Sequence, residues 1–183
     1  MKSNVELKAR LRAAQRQGLR VVRLATSEPQ HMQQMDTFFH VASGRLKLRE
    51  LAPDRAELIY YHRPDGPGPT LSSYTRVKTD EPGVLKQLLT QALGVRGVVR
   101  KDRVLYWVDQ TRVHLDDVDD LGKFLELEVV LRDGQTMEEG NRIAMDIMGQ
   151  LDIHEDDLID CAYIDLLDHV QGSDEGAEPR SGS

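Results

Sequence analysis

The strongest constraint on this chain is an alternation of period two that keeps returning with charge on one side. Glu6, Lys8 and Arg10 fall on one face of a strand, and Val5, Leu7 and Ala9 on the other. The same spacing groups Arg45, Lys47 and Arg49, then Lys101 and Arg103, then Arg112, His114 and Asp116, then Glu126 and Glu128. Each strand taken alone is also an ordinary half-buried strand with a solvated face. Together they send charge from several strands toward a common side. If those strands curl into a barrel, helices cover the apolar outer face and the charged face lines a wet tunnel. Charges enclosed in that way are costly unless the cations meet a polyanion and the carboxylates meet a metal. A triphosphate with a divalent ion satisfies both demands.

Further alternating segments cover residues 35–41, 45–51, 57–63 and 72–78, separated by Ser43-Gly44, Pro53-Asp54 and a Pro/Gly-rich run over residues 64–69. Before them, a short helix is expected to run to Gly18. A mid-chain helix is expected to start near Asp80 and stop at Gly94, with Val84, Leu85, Leu88, Leu89 and Leu93 as its apolar stripe. Strands resume at residues 98–108, 112–115 and 124–131. Thr136 followed by Glu139 fits a capping box for a helix to about Leu151 that packs through Ile143, Ala144, Ile147 and Met148. A last helix is expected over residues 155–167. The organisation is one domain over residues 1–170 and a disordered acidic tail over residues 171–183.

Composition bounds the setting. The 183 residues suit a single domain with a core, and no apolar run approaches the roughly 20 residues of a membrane span. A polar N-terminus and a single cysteine, Cys161, point to a cytoplasmic, reducing location and exclude an intrachain disulfide. Net charge is −7, yet residues 1–112 carry +9 and residues 113–183 carry −16. That asymmetry fits either an acidic helical surface or a basic polyanion site facing acidic metal ligands. The six histidines form no ligand spacing of their own. There is no Walker-type loop and no glycine-rich dinucleotide fingerprint.

Three segments carry a family resemblance. They are Asn4-Val5-Glu6-Leu7-Lys8-Ala9-Arg10, the stretch Asp36-Thr37-Phe38-Phe39 leading to Gly44-Arg45-Leu46-Lys47-Leu48-Arg49-Glu50, and Leu121-Gly122-Lys123-Phe124-Leu125-Glu126-Leu127-Glu128. Over residues 4–167 the chain resembles the CYTH superfamily, in particular its class IV adenylate cyclases and the related thiamine triphosphatase-like tunnel enzymes. The resemblance implies an α+β fold: an antiparallel β-barrel enclosing a triphosphate tunnel, with flanking helices. The opening family motif is Glu-x-Glu-x-Lys. Glu6 and Lys8 match its second and third positions, whereas Asn4 stands at the first, where it offers a neutral oxygen but no charge.

Carried over residue by residue, the resemblance implies phosphate binding by Lys8, Arg45, Lys47, Arg63, Lys101, Arg103 and Arg112. It implies Mg²⁺ or Mn²⁺ binding by Glu6, Glu126, Glu128 and Asp116, and a reaction carried by Glu6, Lys8 and Glu128. Asp116 reads equally as a group that orients a cation. The implied activity is metal-dependent chemistry on a nucleoside or other small triphosphate, either ATP to cyclic AMP and pyrophosphate or triphosphate hydrolysis. A non-catalytic polyphosphate sensor is the alternative. The expected partner is a small triphosphate; an RNA 5′-triphosphate end is the one nucleic-acid exception, and family barrels can pair as homodimers.

Overall fold

The computed structural model describes residues 2–62 and 70–174. Strand β1 (Lys2–Arg10) leads through α1 (Ala14–Leu24) to β2 (Gln30–Phe39), β3 (Arg45–Ala52), β4 (Arg55–His62) and β5 (Thr70–Thr79). Helix α2 (Pro82–Leu93) precedes β6 (Val95–Val108), β7 (Thr111–Val118) and β8 (Gly122–Val130), and α3 (Met137–Gln150) and α4 (Tyr163–Asp174) follow. The strands form a closed antiparallel barrel in the order β1-β5-β4-β3-β2-β6-β7-β8, and β8 pairs back onto β1 with Glu6 opposite Glu128 and Lys8 opposite Glu126. Closure removes sheet edges.

Alternation now has a direction. Leu7, Ala9, Val113, Leu125 and Leu127 turn outward and are covered by Val21 of α1 and by Ile147, Met148 and Leu151 of α3 and its end. Val5 and Val129 meet Ala144 beside them. The capping box forms: Glu139 N donates to Thr136 Oγ1 at 3.2 Å, and Thr136 N donates to Glu139 Oε2 at 2.7 Å. Gly140 lets α3 close on the barrel, because a Cβ there would lie 2.7 Å from Val5 Cγ2 and 2.6 Å from Leu131 Cδ2.

Several boundaries differ from expectation. Helix α1 continues past Gly18 to Leu24, since Val21 is buried and the buried Gln17 amide is held by Ala13 N and Asp152 O, both at 3.0 Å. Strand β2 starts at Gln30, because its polar first half pairs with β6 from Gln30–Leu105 onward, and it ends at Phe39. The α2 stripe splits. Leu85 and Leu89 pack on β2 and β3, but Val84 and Leu88 are 63% and 57% exposed.

The last expected helix breaks in two. Only a 3₁₀ turn forms at Glu155–Asp157, where His154 N donates to Asp157 Oδ2 at 2.8 Å. The chain then runs extended along β1: Leu158 bridges Ala9, and Ile159 N donates to Lys8 O at 2.9 Å. Helix α4 begins only at Tyr163 and continues to Asp174, past residue 170. No helix among the described residues is long and apolar enough to cross a membrane.

Candidate functional site

The inward face of the barrel bounds a cavity of about 180 Å³. Its walls include Glu6 and Lys8 from β1, Arg45 and Lys47 from β3, Lys101 and Arg103 from β6, Arg112 from β7, and Glu126 and Glu128 from β8. The structure therefore brings together nearly every residue singled out in the sequence. Asp116 is buried behind this wall, and Arg63 lies outside the described residues.

The cations are organised by carboxylates. Arg103 donates to both oxygens of Asp116 at 2.6 Å and to Glu126 Oε2 at 2.6 Å. Arg112 Nε lies 2.8 Å from Glu128 Oε2. Burial opposes ionisation of Asp116, yet Arg103 and Lys101 hold its carboxyl down at about 2. Burial and the like charge of Arg103 push the Lys101 ammonium down to about 7, with Asp116 at 3.9 Å offsetting part of this. Glu126 and Glu128 divide their roles: despite burial, Lys8 and Arg103 keep Glu126 well below the usual range, whereas burial and Glu126 raise Glu128.

Sequence reasoning missed Asp36. It is 2% exposed on β2 and accepts from Lys47 Nζ at 2.8 Å and from Arg49 Nε and Nη2 at 2.7 Å. Burial raises its pKa, but Arg49 and Lys47 outweigh that and hold it well below the usual carboxylate range. The signal was the spacing of two between Asp36 and Phe38, which places both on the inner face.

Tyr163 was missed too. Helix α4 packs against Phe38, Val99, Val118 and Phe124, which lie near the strand ends on one side of the barrel. Arg45 and Arg96 fasten its first turn through Asp165 at 2.8 and 2.6 Å, and Asp165 Oδ2 accepts from Ala162 N at 2.9 Å. Tyr163 consequently enters the cavity wall, with Lys8 Nζ 4.0 Å and Lys101 Nζ 5.2 Å from its ring centroid. Its hydroxyl donates to Asp116 Oδ2 at 2.9 Å.

Among the described residues, one group of side chains could hold a metal. His114, Glu126 and Glu128 each offer a ligand atom, and these atoms lie within 4.8 Å of one another. Strand register produces the group, since β7 sets His114 opposite Glu126 and Arg112 opposite Glu128. His114 Nδ1 is buried with no hydrogen-bond partner, 3.7 Å from Glu128 Oε1. Burial, followed by Arg103, lowers the His114 pKa and keeps the ring neutral. A neutral imidazole nitrogen beside two carboxylates is a donor set that fits a divalent ion. Glu6, opposite Glu128, and Asp116 stand outside this group of three.

Comparison with known proteins agrees with this architecture. The family model of the CYTH domain matches residues 2–163. The chain is 27% identical over 155 residues to a Methanocaldococcus jannaschii protein named "Putative adenylate cyclase MJ0240", covering 81% of this chain and 85% of that one. Among solved structures, the PH1012 protein of Pyrococcus horikoshii superposes with a TM-score of 0.78 at 23% identity, covering 89% of this chain and 98% of that chain. The Hippeastrum protein HpAC1, a "putative adenylyl cyclase" described as having a dominant triphosphatase activity, superposes with a TM-score of 0.63 at 13% identity, covering 94% and 96% of the two chains.

Proposed function

This chain belongs to the CYTH domain family, and from that premise we propose that it is a divalent-metal-dependent enzyme that cleaves a phosphoanhydride bond of a small triphosphate. The observation that carries the proposal is the convergence of Lys8, Lys47, Lys101 and Arg103 with Glu6, Glu126 and Glu128 on one cavity. Linked phosphoryl groups carry dense negative charge. Arginine forks fix phosphate oxygens in direction, and lysines supply point charges that follow them.

The residues divide the work. Arg103 is braced by Asp116 and Glu126, so its guanidinium is oriented before substrate arrives. Lys8 and Lys101 face the chain from over the Tyr163 ring. Glu126 and Glu128, with Glu6, would hold Mg²⁺ or Mn²⁺. Such an ion, when bound, neutralises phosphate oxygens and stabilises the departing group. Water attack at the terminal phosphorus breaks the terminal anhydride bond and yields phosphate and the remaining diphosphate. Attack by a ribose 3′-hydroxyl at the α-phosphorus yields cyclic AMP and pyrophosphate. The relatives named for cyclases support the second outcome, and the HpAC1 description supports the first.

Asn4 favours one other reading. It lines the cavity where the family motif carries a carboxylate, and one acid fewer fits a binder that does not turn over its ligand. Incubation with ATP, tripolyphosphate and thiamine triphosphate in Mg²⁺ or Mn²⁺ separates the cases. Cyclic AMP with pyrophosphate selects the cyclase, and free phosphate selects the hydrolase. Tight binding without turnover selects the sensor.

A further inference from the structure

We infer that His114 is a direct ligand of the divalent ion and that its imidazole biases the site toward Mn²⁺ and other first-row transition ions over Mg²⁺. The inference rests on the metal-dependent reading above only in taking an ion to be bound here. Two independent observations converge on it. The first is position: the ligand atoms of His114, Glu126 and Glu128 gather within 4.8 Å of one another, the two glutamates in the wall of the charged cavity and His114 buried beside them. The second is the state of the ring. His114 is 4% exposed, and its Nδ1 is buried without a hydrogen bond.

A buried imidazole nitrogen without a partner is unfavourable, and native structures seldom keep one for no purpose. Nδ1 stands 3.7 Å from Glu128 Oε1, too far for a hydrogen bond. Two donors bound to one ion at about 2.1 Å lie roughly 3 to 3.5 Å apart, so the gap is close to what an ion would span. Arg112 Nε lies 2.8 Å from Oε2 of Glu128, and Arg103 donates to Oε2 of Glu126, so each carboxylate is held through one oxygen.

Chemistry then sets the preference. Mg²⁺ favours hard oxygen donors in a near-ideal octahedron and gives up water reluctantly. Imidazole suits the transition ions, whose affinities at nitrogen-containing sites rise along the first row. Asn4 reinforces the bias, because the first motif position adds a neutral oxygen to the cavity instead of another carboxylate.

The test uses the metal-free full-length chain with MnCl₂ and no triphosphate. Pulsed electron paramagnetic resonance of the bound Mn²⁺ reads nitrogen coupling, and competition with MgCl₂ reads preference. The expected result is ¹⁴N coupling in the wild type that is lost in His114→Gln, with the Mn²⁺-over-Mg²⁺ preference falling about tenfold or more. Bound Mn²⁺ without nitrogen coupling, an unchanged preference in His114→Gln, or no Mn²⁺ binding at millimolar concentration would each overturn it. Should His114→Gln fail to fold by circular dichroism, Glu128→Gln replaces it, and loss of the nitrogen-coupled signal is expected there. A parallel triphosphate assay keeps the two readings apart. Turnover with Mn²⁺ bound through oxygen alone overturns this inference only, whereas nitrogen coupling without turnover supports it and removes the enzymatic reading.

Discussion

Lys8 Nζ lies 4.0 Å from the centre of the Tyr163 ring, so the first strand and the first turn of the last helix build one wall of the cavity together. A cation over a desolvated ring is worth about 1–2 kcal/mol. The ring also restrains where the ammonium points. Tyr163→Leu is expected to raise the KM for a triphosphate about tenfold, with a smaller effect on kcat. Tyr163→Phe keeps the ring and loses only the hydroxyl bond to Asp116, so its KM should stay within about threefold of wild type. Steady-state kinetics of the two variants check the difference.

Asp36 pairs with both Lys47 and Arg49 on the inner face of the barrel. Asp36→Asn leaves two buried cations without their anion and should cost about 3–5 kcal/mol, read by urea unfolding. Tripolyphosphate should then raise the Tm of the variant by more than it raises that of the wild type, because the ligand supplies the missing charge. The pH dependence has a definite sign. The folded pKa of Asp36 is depressed, so its stabilisation is present above the unfolded value near 4 and is lost as pH falls through the folded value. Acid unfolding of Asp36→Asn should lack that component.

Lys101 titrates near neutrality, at about 7, because burial and Arg103 disfavour its charge. In the folded chain it is charged below that pH and increasingly neutral above it. An unfolded lysine keeps its proton to about pH 10.4, so the unfolded state binds more protons between these values, and this residue's contribution to stability rises with pH across that window. A bound triphosphate favours the ammonium. Binding at pH 8 should therefore take up close to one proton, about one fewer in Lys101→Met. Titration calorimetry in buffers of different ionisation enthalpy measures the difference.

How much was legible depended on the kind of signal. Glu6 and Lys8, Lys101 and Arg103, and Glu126 and Glu128 announce themselves by spacing, because a strand repeats every two residues and the barrel turns that repeat into one inner face. Asp36 obeys the same rule but is embedded among Met35, Thr37 and Phe38, so no neighbouring charge drew attention to it. His114 was visible as the middle of a charged triple. Its company with Glu126 and Glu128 is a matter of register between β7 and β8, which no single segment encodes.

Tyr163 carries no such pattern. It reaches the cavity because the chain before it is tied along β1 by the Ile159 N to Lys8 O hydrogen bond, and the same tie stops a helix from running unbroken over residues 155–167. Tertiary pairing overrode local helix propensity there. The exposure of Val84 and Leu88 has the same character, since an apolar stripe states what a helix could bury and not how much of the barrel lies beneath it.

The rate of phosphoanhydride cleavage by the purified chain on ATP, tripolyphosphate and thiamine triphosphate tests metal-dependent catalysis in this cavity most directly. Rates with added Mn²⁺ or Mg²⁺ would be compared with rates in chelator, for wild type and Glu128→Gln. Turnover of at least one of these compounds is expected to need the ion and to fall by about a hundredfold or more in a Glu128→Gln protein that remains folded. Turnover indifferent to chelator and to the Glu128 substitution, or no turnover of any of the three, would contradict it.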